Sequence, residues 1–114
     1  MSKQQVSVIV LPTGDLEASL KFYTETLGFP LVRRVGPSYA IVDGGTVAIG
    51  LSASTDPPTG GKNMLGMKTD DVDDLAKAIQ KSGGTIVTAP YDDGDERRAF
   101  VCDNNGNLLM IYKR

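Results

Sequence analysis

The chain carries one pattern twice, and that repeat limits what it can fold into. Asp15 and Asp71 each precede an apolar series at helical spacing. Superposing them brings Leu16 onto Val72, Lys21 onto Lys77, Tyr23 onto Ile79 and Gly28 onto Gly84. A strand signal comes before each helix: the β-branched run Gln5 to Leu11, stopped by Pro12-Thr-Gly14, and the apolar segment Met64 to Thr69. Three strand signals follow each helix. They are Pro30 to Val35, Ser38 to Val42 and Thr46 to Leu51 in the first half, and Thr85 to Ala89, Arg97 to Cys102 and Asn107 to Lys113 in the second. Gly36-Pro37 and Asp43-Gly44-Gly45 supply turns. The spacing predicts two βαβββ modules in tandem within one domain, 1–114: module one 1–51, a Pro/Gly/Ser-rich linker 52–62, and module two 63–114. Each half is too small to bury a core alone, so the modules should depend on each other.

Composition removes several function classes. Twelve Lys+Arg against 14 Asp+Glu, with no basic cluster in the sequence, leave no electrostatic footprint for nucleic acid or for a polybasic membrane anchor. With no histidine, Ser–His and Cys–His nucleophile systems and His-based zinc sites are unavailable. The single Cys102, in Phe100-Val101-Cys102, reads as a small core residue, and a lone thiol suits a reducing, cytoplasmic setting. The apolar run before Pro12 is too short for a signal h-region or a membrane span.

Two segments carry a family likeness. Asp15-Leu-Glu-Ala-Ser-Leu-Lys-Phe-Tyr-Thr-Glu-Thr-Leu-Gly-Phe29 resembles the first helix of the glyoxalase, bleomycin-resistance and extradiol-dioxygenase (vicinal oxygen chelate) superfamily. Phe100-Val-Cys-Asp-Asn-Asn-Gly-Asn-Leu-Leu-Met110 is similar to its closing hairpin. The resemblance implies an α+β fold of two βαβββ modules whose curved mixed sheets enclose a cleft, and a homodimer, with modules side by side or exchanged between chains. It also implies a divalent-metal site built from His and Glu on the first and last strands of each module. Followed residue by residue, the closing-strand Glu position is Met110 and its first-module counterpart Ile49. The position on the strand before the second helix is Met64, and that on the first strand falls near Gln5 or Ser7. Thioethers and aliphatic groups do not suit a hard divalent cation, so no metal and no other cofactor is expected. Met64, Ile49 and Met110 would instead make an apolar ligand-binding surface, or simply fill the space between modules.

Other candidates are weighed the same way. Tyr91-Asp-Asp-Gly-Asp-Glu-Arg-Arg98 reads as a solvated charged loop. In a functional version it rims the cleft, with Tyr91 and Arg97 toward the ligand. Asp70, Asp71, Asp73 and Asp74 read as helix-start residues, Lys68 as a solvent-facing strand residue, and Tyr23 as helix core. Tyr39 and Tyr112 lie on strands whose parity the sequence leaves open.

The expected function is metal-independent binding of a small molecule, such as an antibiotic, through Gln5, Ser7, Tyr39, Ile49, Met64, Tyr91, Arg97 and Met110. The chain's acidity (pI about 4.9) is compatible with a cationic ligand. Two alternatives stand beside it. One is a lyase, isomerase or dioxygenase using relocated residues such as Gln5, Asp92/Asp93 and Tyr39. The other is a dimeric domain that binds a protein partner.

Overall fold

The computed structural model describes residues 4–53 and 62–114. These form eight strands and two α-helices in a mixed α+β arrangement, with the βαβββ order occurring twice. Most of the expected linker lies outside the described residues. Two compact units result. One is Val8–Asn63; the other joins the residues up to Ser7 to Met64–Arg114.

In the Val8–Asn63 unit, β1 (Gln4–Pro12) leads through Asp15 into α1 (Leu16–Lys21), then β2 (Leu31–Val35), β3 (Tyr39–Asp43) and β4 (Ala48–Ser52). The strand order is β2-β3-β4-β1, antiparallel except that β1 from Val8 runs parallel to β4. Asp15 caps α1 by accepting from the Ala18 N–H at 3.1 Å. Periodicity predicts about three regular helical turns ending near Gly28. Instead, α1 passes into a π-helical turn, Phe22–Thr26, in which the Leu27 N–H donates to the Phe22 carbonyl at 3.1 Å. The wider turn breaks the helical register. Leu16 is buried and Leu20 and Tyr23 still pack on the core with Ala40 and Leu51, while Leu27 is exposed. Gly28, at φ +77°, then reverses the chain.

The second unit repeats the plan with β5 (Met64–Thr69), α2 (Val72–Lys81), β6 (Thr85–Asp93), β7 (Glu96–Cys102) and β8 (Leu108–Lys113). The order is β5-β8-β7-β6, with β5 and β8 parallel and the other pairs antiparallel. Asp71 caps α2 at 3.0 Å from the Asp74 N–H, which agrees with the helix-start reading of this acidic run. Val72 and Ala76 of α2 bury against Ala99, Val101 and Ile111, with Leu75 and Ile79 alongside. The predicted charged loop at 91–98 is a hairpin. β6 runs on to Asp93 and turns through Gly94 (φ +62°) and Asp95, and β7 begins at a buried Glu96.

Asp103 organises the β7–β8 turn. Its carboxylate accepts from the Asn107 side-chain amide (2.9 Å) and from the backbone N–H groups of Asn107 (2.9 Å) and Asn105 (2.8 Å). These bonds, the Asn107 side chain first, hold its pKa below the ordinary aspartate value. As pH falls, the unfolded chain therefore takes up this proton before the folded one. The turn's stabilisation is complete above the unfolded aspartate pKa and is lost as pH falls through the lowered one. A carboxyl 13C titration should find Asp103 below ordinary aspartates, and a value at or above the usual range would refute the turn's geometry.

Candidate functional site

The eight strands belong to one sheet, and strand alternation gives the strands of each unit one face covered by that unit's helix and one that is not. In the Val8–Asn63 unit, Leu11, Ala40, Ile49 and Leu51 belong to the cluster under α1. The helix-free face therefore carries Val8, Val10, Tyr39, Ile41, Gly50 and Ser52, with Ile41 and Val10 in register with Gly50. Ile49 was expected to face the ligand, but it packs on the helix side, one residue out of phase. Leu51 occupies the place under α1 that Ile111 occupies under α2, so the structural counterpart of Met110 is Gly50. The first-strand counterpart of Met64 is likewise Val8, since Leu11 and Met67 are the equivalent helix-facing positions.

Glycine at position 50 is required by Tyr39. A Cβ there would run into the Tyr39 hydroxyl oxygen and lie 2.8 Å from its Cζ. The phenol takes the volume that any side chain from position 50 would need. Gly50→Ala should cost about 1–3 kcal/mol by overpacking, and most of that cost should vanish in a Tyr39→Ala background. Urea unfolding of the four proteins in this cycle checks the expectation, and an equal cost in both backgrounds would disprove the contact.

In the second unit the helix-free face holds Met64, Gly66 and Lys68 of β5, Met110 and Tyr112 of β8, and Arg98, Phe100 and Cys102 of β7. Met110 is in register with both Gly66 and Phe100, and Tyr112 with both Lys68 and Arg98. Met64 and Phe100 are fully buried and Met110 is 8% exposed, whereas Lys68 faces solvent and Cys102 is half-buried. Ser7 joins this face: its Oγ lies 2.5 Å from the Tyr112 hydroxyl and donates to the Gly66 carbonyl at 3.3 Å. Gln5 is exposed on the same strand.

The two consecutive arginines of β7 point to opposite faces. Arg97 turns to the helix side and grips Asp73 of α2 through two bonds (2.9 and 3.1 Å), with Asp92 at 3.0 Å. This pairing pulls the Asp73 carboxyl below its usual range. Arg97 was expected at the ligand rim; it instead ties helix to hairpin. Arg98 points to the helix-free face, in register with Tyr91. Burial opposes its charge, yet Glu96 and Tyr91 more than offset this, and its pKa is raised. Glu96 Oε1 accepts from Arg98 at 2.8–2.9 Å and Oε2 from Arg114 at 3.1 Å, while Asp93 lies 3.1 Å from Arg98. Sequence reasoning passed over Glu96 and Arg98 because their run read as solvated charge. The usable signal was the i, i+2 spacing, which puts both on one strand face.

The donor set does not fit the hard divalent cation that the superfamily's site implies. The four positions hold Val8, Gly50, Met64 and Met110, which bring neither oxygen nor nitrogen side-chain donors. Gly50's vacancy is filled by a phenol belonging to another residue. Among the described residues no helix is long and apolar enough to cross a membrane.

Comparison with known proteins agrees with this architecture. A protein of Mycolicibacterium smegmatis without an assigned function is 50% identical over 112 residues, spanning 98% of this chain and 96% of that protein. The crystal structure of a glyoxalase/bleomycin resistance protein/dioxygenase superfamily member from Vibrio splendidus superposes with a TM-score of 0.76 at 16% identity, covering 100% of both chains. Methylmalonyl-CoA epimerase of Streptomyces coelicolor gives 0.71 at 22% identity, over 96% of each chain. At these identities the two structures share the fold. Residues 5–111 match the family described as the Glyoxalase/Bleomycin resistance protein/Dioxygenase superfamily, and the chain belongs to that family.

Proposed function

We propose that this protein binds a small, largely apolar molecule on the helix-free face of its second unit, without a divalent metal and without transforming the ligand. The observation that carries the reading is the substitution of methionine for donor residues at positions 64 and 110, beside Phe100. Met64, Met110 and Phe100 are buried, so the ligand would enter by displacing the flexible thioethers, which adapt to irregular apolar shapes and give a hard cation nothing to bind. Tyr91 and the Glu96-held Arg98 would orient the polar end of the ligand. An antibiotic is one such molecule. The protein would act in the cytoplasm as a homodimer, where the unpaired Cys102 stays reduced.

Native mass spectrometry of the purified protein, with and without Ni, Zn, Mn and Fe(II), tests this reading. The expected result is a dimer that takes up no metal stoichiometrically and carries, or acquires from a panel of apolar ligands, one organic adduct per chain. One bound metal per chain, or a panel with no saturable binding, would overturn it. A second reading, catalysis through relocated groups, is favoured by one observation: the 2.5 Å hydroxyl pair of Ser7 and Tyr112 on the same face. Of the relocated candidates, Asp92 and Asp93 are already paired with arginines. That reading requires metal-free turnover lost in Tyr112→Phe.

A further inference from the structure

A half-open surface pocket of about 330 Å³ belongs to the second unit, lined by the exposed Gln5, Lys68, Asp70, Lys113 and Arg114 and the buried Thr69. It sits at the ends of the parallel strands β5 and β8, just before the Asp71 cap of α2. Its volume is at the lower end of the range for small-molecule sites. Three cationic residues, Lys68, Lys113 and Arg114, and one acidic residue, Asp70, line it, in a chain whose formal net charge is −2. The long-range field therefore does not gather anions here, and the positive charge is local.

Neither lysine has an ion-pair partner among the described residues. Arg114 gives one N–H to Glu96 Oε2 at 3.1 Å, which orients the guanidinium and uses one of its five donors. Thr69 Oγ1 accepts from Gln4 Nε2 and from the Asp71 N–H, both at 3.4 Å, so its own proton is left to donate. The Gln5 amide adds a neutral donor. Lys68 stands on the helix-free face and Lys113, in register with Arg97, on the helix side, so the two ammonium groups reach the strand ends from opposite faces, where the Arg114 guanidinium, the Thr69 hydroxyl and the Gln5 amide add donors.

We infer that this pocket binds a small dianionic oxyanion, of the phosphate-monoester or dicarboxylate class. The inference goes beyond the proposed function and is independent of it, because none of Met64, Phe100 or Met110 lines the pocket. It also runs against the cationic ligand that the acidic composition alone favours: local lining, and not net charge, sets the sign of the ligand at contact distance.

The test is isothermal titration of the full chain with inorganic phosphate and, separately, with succinate, at low and at physiological ionic strength. Saturable binding of one anion per chain is expected, weaker at the higher salt. Which of the two binds more tightly identifies the class. Lys68→Ala/Lys113→Ala should weaken binding by about tenfold or more, the worth of one lost charge-assisted hydrogen bond. Asp70→Asn should tighten it by removing the opposing charge. Both lysines are exposed, so the double variant should fold, and its thermal transition verifies that. Lys81→Ala, at the far end of α2, serves as control and should leave binding unchanged. No saturable heat with either anion, or an equal loss in the control, would overturn the assignment and leave the apolar-ligand reading intact.

Discussion

Phe100→Ala is expected to destabilise the protein by about 3–5 kcal/mol, a large part of the roughly 5–15 kcal/mol that holds a domain of this kind together. Phe100 is among the largest fully buried side chains, and on β7 it is in register with Met110. Its removal takes away the transfer free energy of an aromatic ring and leaves a cavity. The neighbouring strand backbones are hydrogen-bonded in place and cannot collapse into that space. Met110, in register with it, has a flexible side chain and will fill part of it, so the lower half of the range is expected. Phe100→Leu should recover most of the loss. Urea unfolding gives the two values. A cost below about 1 kcal/mol for the alanine variant would mean that the helix-free face is not packed as described.

Glu96→Gln should cost about 3 kcal/mol, although it preserves shape and an acceptor oxygen. Glu96 is only 6% exposed and its two oxygens serve two arginines. Neutralising it takes a charged partner at 2.8 Å from Arg98, itself largely buried, which keeps its pair with Asp93 at 3.1 Å. The cost comes from leaving a buried charge less compensated, and a simple consequence follows. The double variant Glu96→Leu/Arg98→Met should be more stable than Glu96→Gln alone, since an apolar pair of similar volume needs no desolvated ion. If the double variant is the less stable of the two, the network is worth more than its desolvation cost and the prediction fails.

The elements themselves were legible locally. Aspartate caps, three- and four-residue apolar spacing, β-branched runs and glycine stops depend on neighbours a few positions away, so β5 was read to the residue and both helix starts at the correct cap. The same local reading failed where a distant partner decides the outcome. The π-turn at Phe22–Thr26 leaves no periodic mark that separates it from a regular helix, so apolar spacing alone extends a regular helix toward Gly28, whereas Leu27 is exposed. The Asp-rich run at 91–98 has the composition of a loop. It becomes a hairpin because Arg97 finds Asp73 on α2 and Arg98 finds the buried Glu96.

The candidate site shows the division most clearly. Two βαβββ repeats, the lack of any imidazole, and methionines at two of the superfamily's donor positions can be read from the chain's residues in order. Those statements need only residue identity and spacing. Which face each strand presents depends on how the strands pair in the folded chain, because side chains alternate with a period of two and a shift of one residue moves a whole strand's set to the other side. That shift made Gly50, beneath the Tyr39 phenol, the counterpart of Met110, and returned Ile49 to the core under α1. It likewise separated Arg97 from Arg98, adjacent in sequence and opposite in space. Strand pairing is a long-range choice settled by burial of the helix-covered face, and no local pattern encodes its register.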